Sequence, residues 1–337
     1  MDLSVRSIGK INNLGKKNLS DSVTREDIGE DGHDQRIDNF LFKRFRGVPK
    51  SHIYQLLRSG QIRVNSKRIS ASYRLQLNDS VRIPPIRQGE KSITQHAVMK
   101  FVTFDILFQD EALLIINKPA GMAVHGGSGV SFGVIEQLRA QYSNWKFLEL
   151  VHRLDRETSG ILLLAKKRSA LTELHRQIRE GKIQKFYLTL VSGKWEDSHR
   201  SVKLPLHKYV TTMGERRVAV VSDKNGHAKA IPAHTIFRLK KSWESFSLLE
   251  AELKTGRTHQ IRVHLAHLGF PIIGDDKYGD FVLNKQTARK SQGAYLQRMF
   301  LHAYKIVITH PLSGERLQLE APLAKDLKEF INGLDKP

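Results

Sequence analysis

Apolar positions fall into two regimes along the chain. Between residues 35 and 84 they are sparse and helically spaced. Ile37, Phe40, Leu41 and Phe45 make one stripe, and Ile53, Leu56 and Leu57 make a second. Gly47-Val48-Pro49 separates the two, and Gly60 stands where the second helix should stop. Ile62-Arg63-Val64 and Val81-Arg82-Ile83 then alternate apolar and basic residues, as short half-buried strands do. Two short helices and a small sheet are expected here.

From about residue 103 the apolar runs are longer. Ala112–Ile116, Phe147–Val151 and Ile161–Ala165 predict strands, as do Phe186–Val191, Phe246–Leu253, Leu301–Thr309 and Leu317–Leu319. Leu171, Leu174 and Ile178 predict a helix, and Ile261, Leu265 and Leu268 predict another over Thr258–Leu268. Strands outnumber helices and do not alternate with them. That favours an α+β domain with a mixed or antiparallel sheet over a doubly wound parallel one. Residues 1–30 are polar and weakly patterned and read as a mobile tail, and 85–102 read as a linker. The expected order is therefore tail, small domain at 35–84, linker, and a larger domain at 103–330.

Charge sharpens this division. The 337 residues hold 55 Lys and Arg against 34 Asp and Glu, a net charge of +21. Residues 35–84 alone hold 11 against 2. Such an excess favours a polyanionic partner, nucleic acid above all. Cysteine is absent, so disulfides and thiolate metal sites are excluded, which fits a reducing compartment such as the cytoplasm. No apolar run approaches the ~20 residues that cross a bilayer, so no membrane association is expected. Nothing in the sequence demands more than a monomer.

Several motifs compete for the chemistry. Gly129-Val130-Ser131-Phe132-Gly133 fits the G-x-S-x-G elbow of serine hydrolases, but a glycine-rich loop precedes the serine where a hydrophobic strand is required. His259, His264 and His267 do not share a helix face, and no H-E-x-x-H frame is present, so no metal site is expected. There is no phosphate-binding P-loop and no dinucleotide fingerprint. The densest polar cluster is His152-Arg153-Leu154-Asp155-Arg156-Glu157-Thr158-Ser159-Gly160, set between two apolar runs. By its residues alone it is either a site or a polar connection with a capping aspartate.

Resemblance favours the site. That cluster resembles the H-R-L-D-x-x-T-S-G signature of the RluA-type pseudouridine synthases. Gly256-Arg257-Thr258-His259-Gln260-Ile261-Arg262 and Asn117-Lys118-Pro119-Ala120-Gly121 resemble two further elements of that family, as do Pro271–Gly279, Leu301-His302-Ala303 and His310-Pro311. Residues 35–65 resemble the S4-type RNA-binding domain. The resemblance implies that Asp155 starts the isomerisation of a uridine to pseudouridine, with no cofactor. Tyr187 would stack on the base or help remove the C5 proton, and Arg262 would pair with Asp155. Arg153 would be inserted into the RNA stack, with His152, Arg257 and His125 as further RNA contacts. In the small domain, RNA contacts would come from Arg36, Lys50, Ser51, Arg58 and Arg63. Within the family, the S4-type domain, Val48-Pro49-Lys50-Ser51 and the run His125–Glu136 are most similar to the bacterial enzymes that modify several separate uridines of 23S ribosomal RNA. A synthase for a different rRNA or tRNA site, an RNA N-glycosylase and a non-catalytic ribosome-assembly protein stay open as alternatives.

Overall fold

The computed structural model describes residues 22–45, 48–86, 102–126, 132–221, 230–289 and 295–335. It divides into two compact units, Met1–Val98 and Met99–Pro337. The linker expected over 85–102 and the glycine-rich loop at 127–131 fall almost entirely outside the described residues.

The small unit contains strand β1 (Thr24–Asp27), helices α1 (Ile37–Arg44) and α2 (Lys50–Arg58), and strands β2 (Arg63–Val64) and β3 (Ser80–Ile83). The two helices and the last two strands lie where the apolar spacing puts them. Ile37, Leu41, Ile53, Leu56 and Leu57 join Ile62, Val64, Val81 and Ile83 in one core. The polar tail expected over 1–30 gives way at Thr24, because β1 pairs antiparallel with β3. The anchor is Ile28, buried in the same core. A short edge strand with mostly exposed polar side chains leaves no hydrophobic alternation to read.

The large unit opens with strands β4 (Asp105–Gln109) and β5 (Leu113–Lys118), helix α3 (Val134–Gln141), strands β6 (Glu149–Leu150) and β7 (Ser159–Ala165), and helix α4 (Arg168–Arg179). Six strands follow: β8 (Gln184–Ser192), β9 (His199–Lys203), β10 (Leu206–Val210), β11 (Arg216–Val220), β12 (His234–Ser242) and β13 (Phe246–Leu253). Helices α5 (Gln260–His267) and α6 (Phe281–Thr287), strands β14 (Leu301–Thr309) and β15 (Arg316–Glu320), and helix α7 (Lys325–Leu334) complete it. Ten strands form one sheet: eight follow the path β4-β5-β7-β14-β8-β13-β12-β9, while β15 pairs with β14 and β6 with β7. Its pairings are antiparallel except for β7 with β14, which makes it mixed, as the pattern of elements indicated.

Both faces of the sheet are covered. Leu113, Ile115, Ile161 and Leu163 pack with Leu171 and Leu174 of α4, whereas Leu114, Ile116, Leu162 and Leu164 pack with Ile135 and Leu138 of α3. Every residue of β7 is therefore buried, which explains its unbroken apolar run. Strand β14 is inserted between β7 and β8, and so brings the start of β7 beside the middle of β8. Gly160 permits that approach. Its φ is +108°, and a Cβ there would lie 2.2 Å from the Ala303 carbonyl oxygen. Among the described residues, no helix is long and apolar enough to cross a membrane.

Candidate active site

The segment between β6 and β7 carries Asp155. A strand was expected over Phe147–Val151, but only Glu149–Leu150 pairs before the chain turns away. The turn is fixed at several points. The Leu163 N–H donates to His152 Nε2 at 3.2 Å, and Leu154 is buried in the core. With Leu154 turned inward, Arg153 is left exposed. The Thr158 N–H closes the turn on the Asp155 carbonyl at 3.1 Å. Lys118, fully buried, donates to the carbonyls of Pro119, Met122 and Arg156 at 2.7, 2.8 and 3.1 Å, clamping the far side. Burial pushes its pKa down to about 7, partly offset by Glu157 and Asp155.

Asp155 keeps 19% of its side chain exposed and faces a cleft of about 680 Å³. Tyr187, on β8, lines the same cleft and is 7% exposed. Burial and the nearby Asp155 carboxylate push its phenol above the ordinary tyrosine range. Arg262, on α5, is 4% exposed and reaches Asp155 Oδ2 with Nη1 at 3.4 Å.

Arg262 meets Asp155 through this single contact and makes its stronger bonds elsewhere. Nε and Nη2 of Arg262 donate to Asp275 at 2.7 and 2.6 Å, and Nη2 also approaches Asp276 at 3.2 Å. Asp275 is buried and also accepts the backbone N–H groups of Lys277 and Tyr278. Burial pushes its pKa up, but Arg262 and those amides outweigh this and hold it below the usual carboxylate range. Asp275 takes the Nε–Nη2 edge and Asp276 also draws on Nη2, which leaves Nη1 for Asp155.

Helix α5 begins two residues later than expected. His259 adopts a left-handed backbone, φ +54°, where a bulky residue is strained. Its Nδ1 is 2.9 Å from the Tyr278 hydroxyl, and its Nε2 stands 3.9 Å from Asp155 Oδ2. His264, fully buried, is held between Thr235 and the Leu204 carbonyl, a structural role.

The remaining anticipated residues separate into groups. Arg153, His152 and Arg257 line the cleft. Burial drives His152 to a pKa of about 3, so it is neutral, and its Nε2 is occupied by the backbone. The Arg153 guanidinium is exposed, with no acceptor among the described residues. Arg257 is exposed and donates to the Pro232 carbonyl. His125 is exposed and does not line the cleft; its Nδ1 lies 2.9 Å from the Gly126 carbonyl oxygen. In the small unit, Lys50, Ser51, Arg58 and Arg63 are exposed, and Arg36 is engaged with Asp38 at 2.7 Å.

Of the supports, sequence reasoning missed Asp275 and Tyr278, and weighed His259 without giving it this place beside Asp155. Asp275 and Tyr278 sit in the quoted run Pro271–Gly279, which was the available signal.

A family profile described as RNA pseudouridylate synthase matches residues 112–267, and one for the S4 domain matches residues 35–81. Ribosomal large subunit pseudouridine synthase C of Pasteurella multocida (strain Pm70) is 48% identical over 323 residues, 95% of this chain and 96% of that protein. The chain belongs to the RNA pseudouridylate synthase family. The synthase is also 47% identical over 317 residues to ribosomal large subunit pseudouridine synthase C of Escherichia coli (strain K12), covering 93% of this chain and 95% of that one. Human RNA Pseudouridylate Synthase Domain Containing 4 has the same fold, with a TM-score of 0.55 and 26% identity, covering 68% of this chain and 93% of that one. The synthase profile spans the Asp155 turn, β8 and α5, and the S4 profile spans both helices of the small unit. The protein is thus a pseudouridine synthase carrying an S4 domain.

Proposed function

We propose that this synthase converts several separate uridines of large-subunit (23S) ribosomal RNA to pseudouridine, with Asp155 as the carboxylate that starts the reaction. The observation that carries the reading is the composition of the cleft. Among the described residues, Asp155 is the one carboxylate lining it, against Arg153, Arg179, Lys185, Lys254, Arg257 and Arg262. A cleft so lined attracts a polyanion and offers it a single anionic group for chemistry. The relatives' names supply the substrate class, and a bacterial ribosomal substrate implies action in the cytoplasm.

Uridine and pseudouridine are isomers, so the net reaction needs no oxidant, reductant or group donor. The N1–C1′ bond breaks, the uracil turns over, C5 joins C1′, the C5 proton leaves and N1 takes up a proton. Asp155 begins this as an ionised carboxylate beside the ribose. Arg262, fixed by Asp275, faces that carboxylate at 3.4 Å and orients it. Tyr187 offers the base a ring to stack on. A stacked uridine must leave the RNA helix, at a cost of a few kcal/mol. The Arg153 guanidinium fills the gap, where its planar cation suits both stacking and phosphate contact.

The experiment uses large-subunit RNA transcribed with tritium at uracil C5. Tritium released without free uracil is the expected result. Free uracil would make the protein a glycosylase, and release of neither would refute the proposed substrate class.

A further inference from the structure

A cation withdrawn from water is costly unless an anion or several acceptors replace the lost hydration. Two buried cations of the large unit meet that requirement within the protein. Lys118 has three carbonyls, and Arg262 has Asp275, Asp276 and Asp155. Lys185 does not. No described residue accepts a hydrogen bond from its ammonium or pairs with it, although burial lowers its pKa and no carboxylate opposes that shift.

Its place in the fold explains why. Lys185 lies on β8, an interior strand, and its register partners are Leu253 on β13 and Ile306 on β14, both aliphatic. Lys185 precedes Tyr187 by two residues, so both side chains leave the same face of the strand and line the same cleft. The loop before α5 closes over the ammonium: a Cβ on Gly256 would come within 3.3 Å of Nζ. The neighbouring His152 is neutral and offers no charge in return.

We propose that Lys185 is a phosphate-binding residue, taking a phosphodiester oxygen of the RNA strand beside the uridine held at Asp155. This rests on the reading of the cleft as an RNA site. Uracil is uncharged and cannot balance a partly desolvated ammonium, whereas every nucleotide of the strand carries one negative phosphate. A compact ammonium with three donors suits a phosphate oxygen approached from one side. The exposed Arg257 and Arg179 continue the positive path along the cleft walls.

The test uses the full chain and an unmodified transcript of large-subunit RNA. Dissociation constants are measured at several salt concentrations for wild type, Lys185→Met and Lys185→Arg, with thermal melting alongside. Losing one phosphate contact should weaken binding and reduce the slope of log affinity against log salt by about 0.7 for single-stranded RNA. Lys185→Arg should keep the wild-type slope. An unchanged slope in a folded Lys185→Met, even with slower turnover, would overturn the assignment. Should that variant melt early, Lys185→Gln serves with the same two outcomes. Failure of the wild type to form pseudouridine on this RNA would instead sink the functional reading, and the binding slopes would still decide the role of Lys185.

Discussion

Arg262 gives Asp275 the double-bonded edge of its guanidinium, at 2.7 and 2.6 Å, and gives Asp155 a single contact at 3.4 Å. The buried aspartate thus fixes the arginine, and the arginine faces the carboxylate that remains in the cleft. Asp275→Asn should keep the chain folded while letting Arg262 drift. A displacement near 1 Å at a reacting centre costs about 10²-fold in rate. Turnover should fall on that scale with little change in KM for RNA. Asp275→Ala should also lose about 3–5 kcal/mol of stability, because it strands a buried cation. Steady-state kinetics and denaturant melts together check this, and an Asp275→Asn enzyme with normal turnover would refute the positioning role.

Gly160 is needed for the union of β7 with β14. Its φ is +108°, and a Cβ would meet the Ala303 carbonyl oxygen at 2.2 Å. Gly160→Ala should cost at least ~2 kcal/mol through backbone strain and steric overlap combined. A urea midpoint equal to wild type would contradict the tight approach.

Arg153 should behave in the opposite way. Its exposed guanidinium has no acceptor among the described residues, so Arg153→Ala should change stability by no more than ~0.5 kcal/mol. RNA affinity and turnover should nevertheless drop. A variant with wild-type kinetics would remove Arg153 from the RNA contacts.

Stability should depend on pH through His302. It is fully buried; Ser159 Oγ lies 2.9 Å from its Nδ1, and that same oxygen accepts from Arg298 at 3.0 Å. Burial lowers its pKa from 6.5 to about 4, despite the Ala321 carbonyl. The folded value lies below the unfolded one, so its contribution is complete above pH 6.5 and is lost as pH falls towards 4. His152, at about 3, acts in the same sense down to lower pH. Unfolding free energies across this window should rise with pH. His302→Gln should flatten the curve by about 1.4 kcal/mol per pH unit. A variant with an unaltered slope would show that His302 does not titrate there.

Much of this fold is legible in the sequence where burial is complete or strictly periodic. β7 reads as a strand because both its faces are covered, and α2 because its three buried residues recur at helical spacing. β1 escapes because its side chains are polar and mostly exposed. β9, β10 and β11 escape because charged and apolar residues mix on strands with one half-open face. The site divides similarly. Asp155, Tyr187 and Arg262 are legible only through resemblance, since each alone is an ordinary polar residue beside an apolar run. The bond that organises them, Arg262 to Asp275, spans a helix and the following loop. No local pattern distinguishes Asp275 from Asp276, of which one is buried and the other 70% exposed.

The most direct test of the account is the Asp155→Asn enzyme on tritiated large-subunit RNA. The substitution keeps the shape of the side chain and removes its charge, so the fold, the cleft and RNA binding should persist. Tritium release should vanish while RNA affinity stays within a few-fold of wild type. Sustained release by a pure Asp155→Asn protein would show that another group starts the reaction.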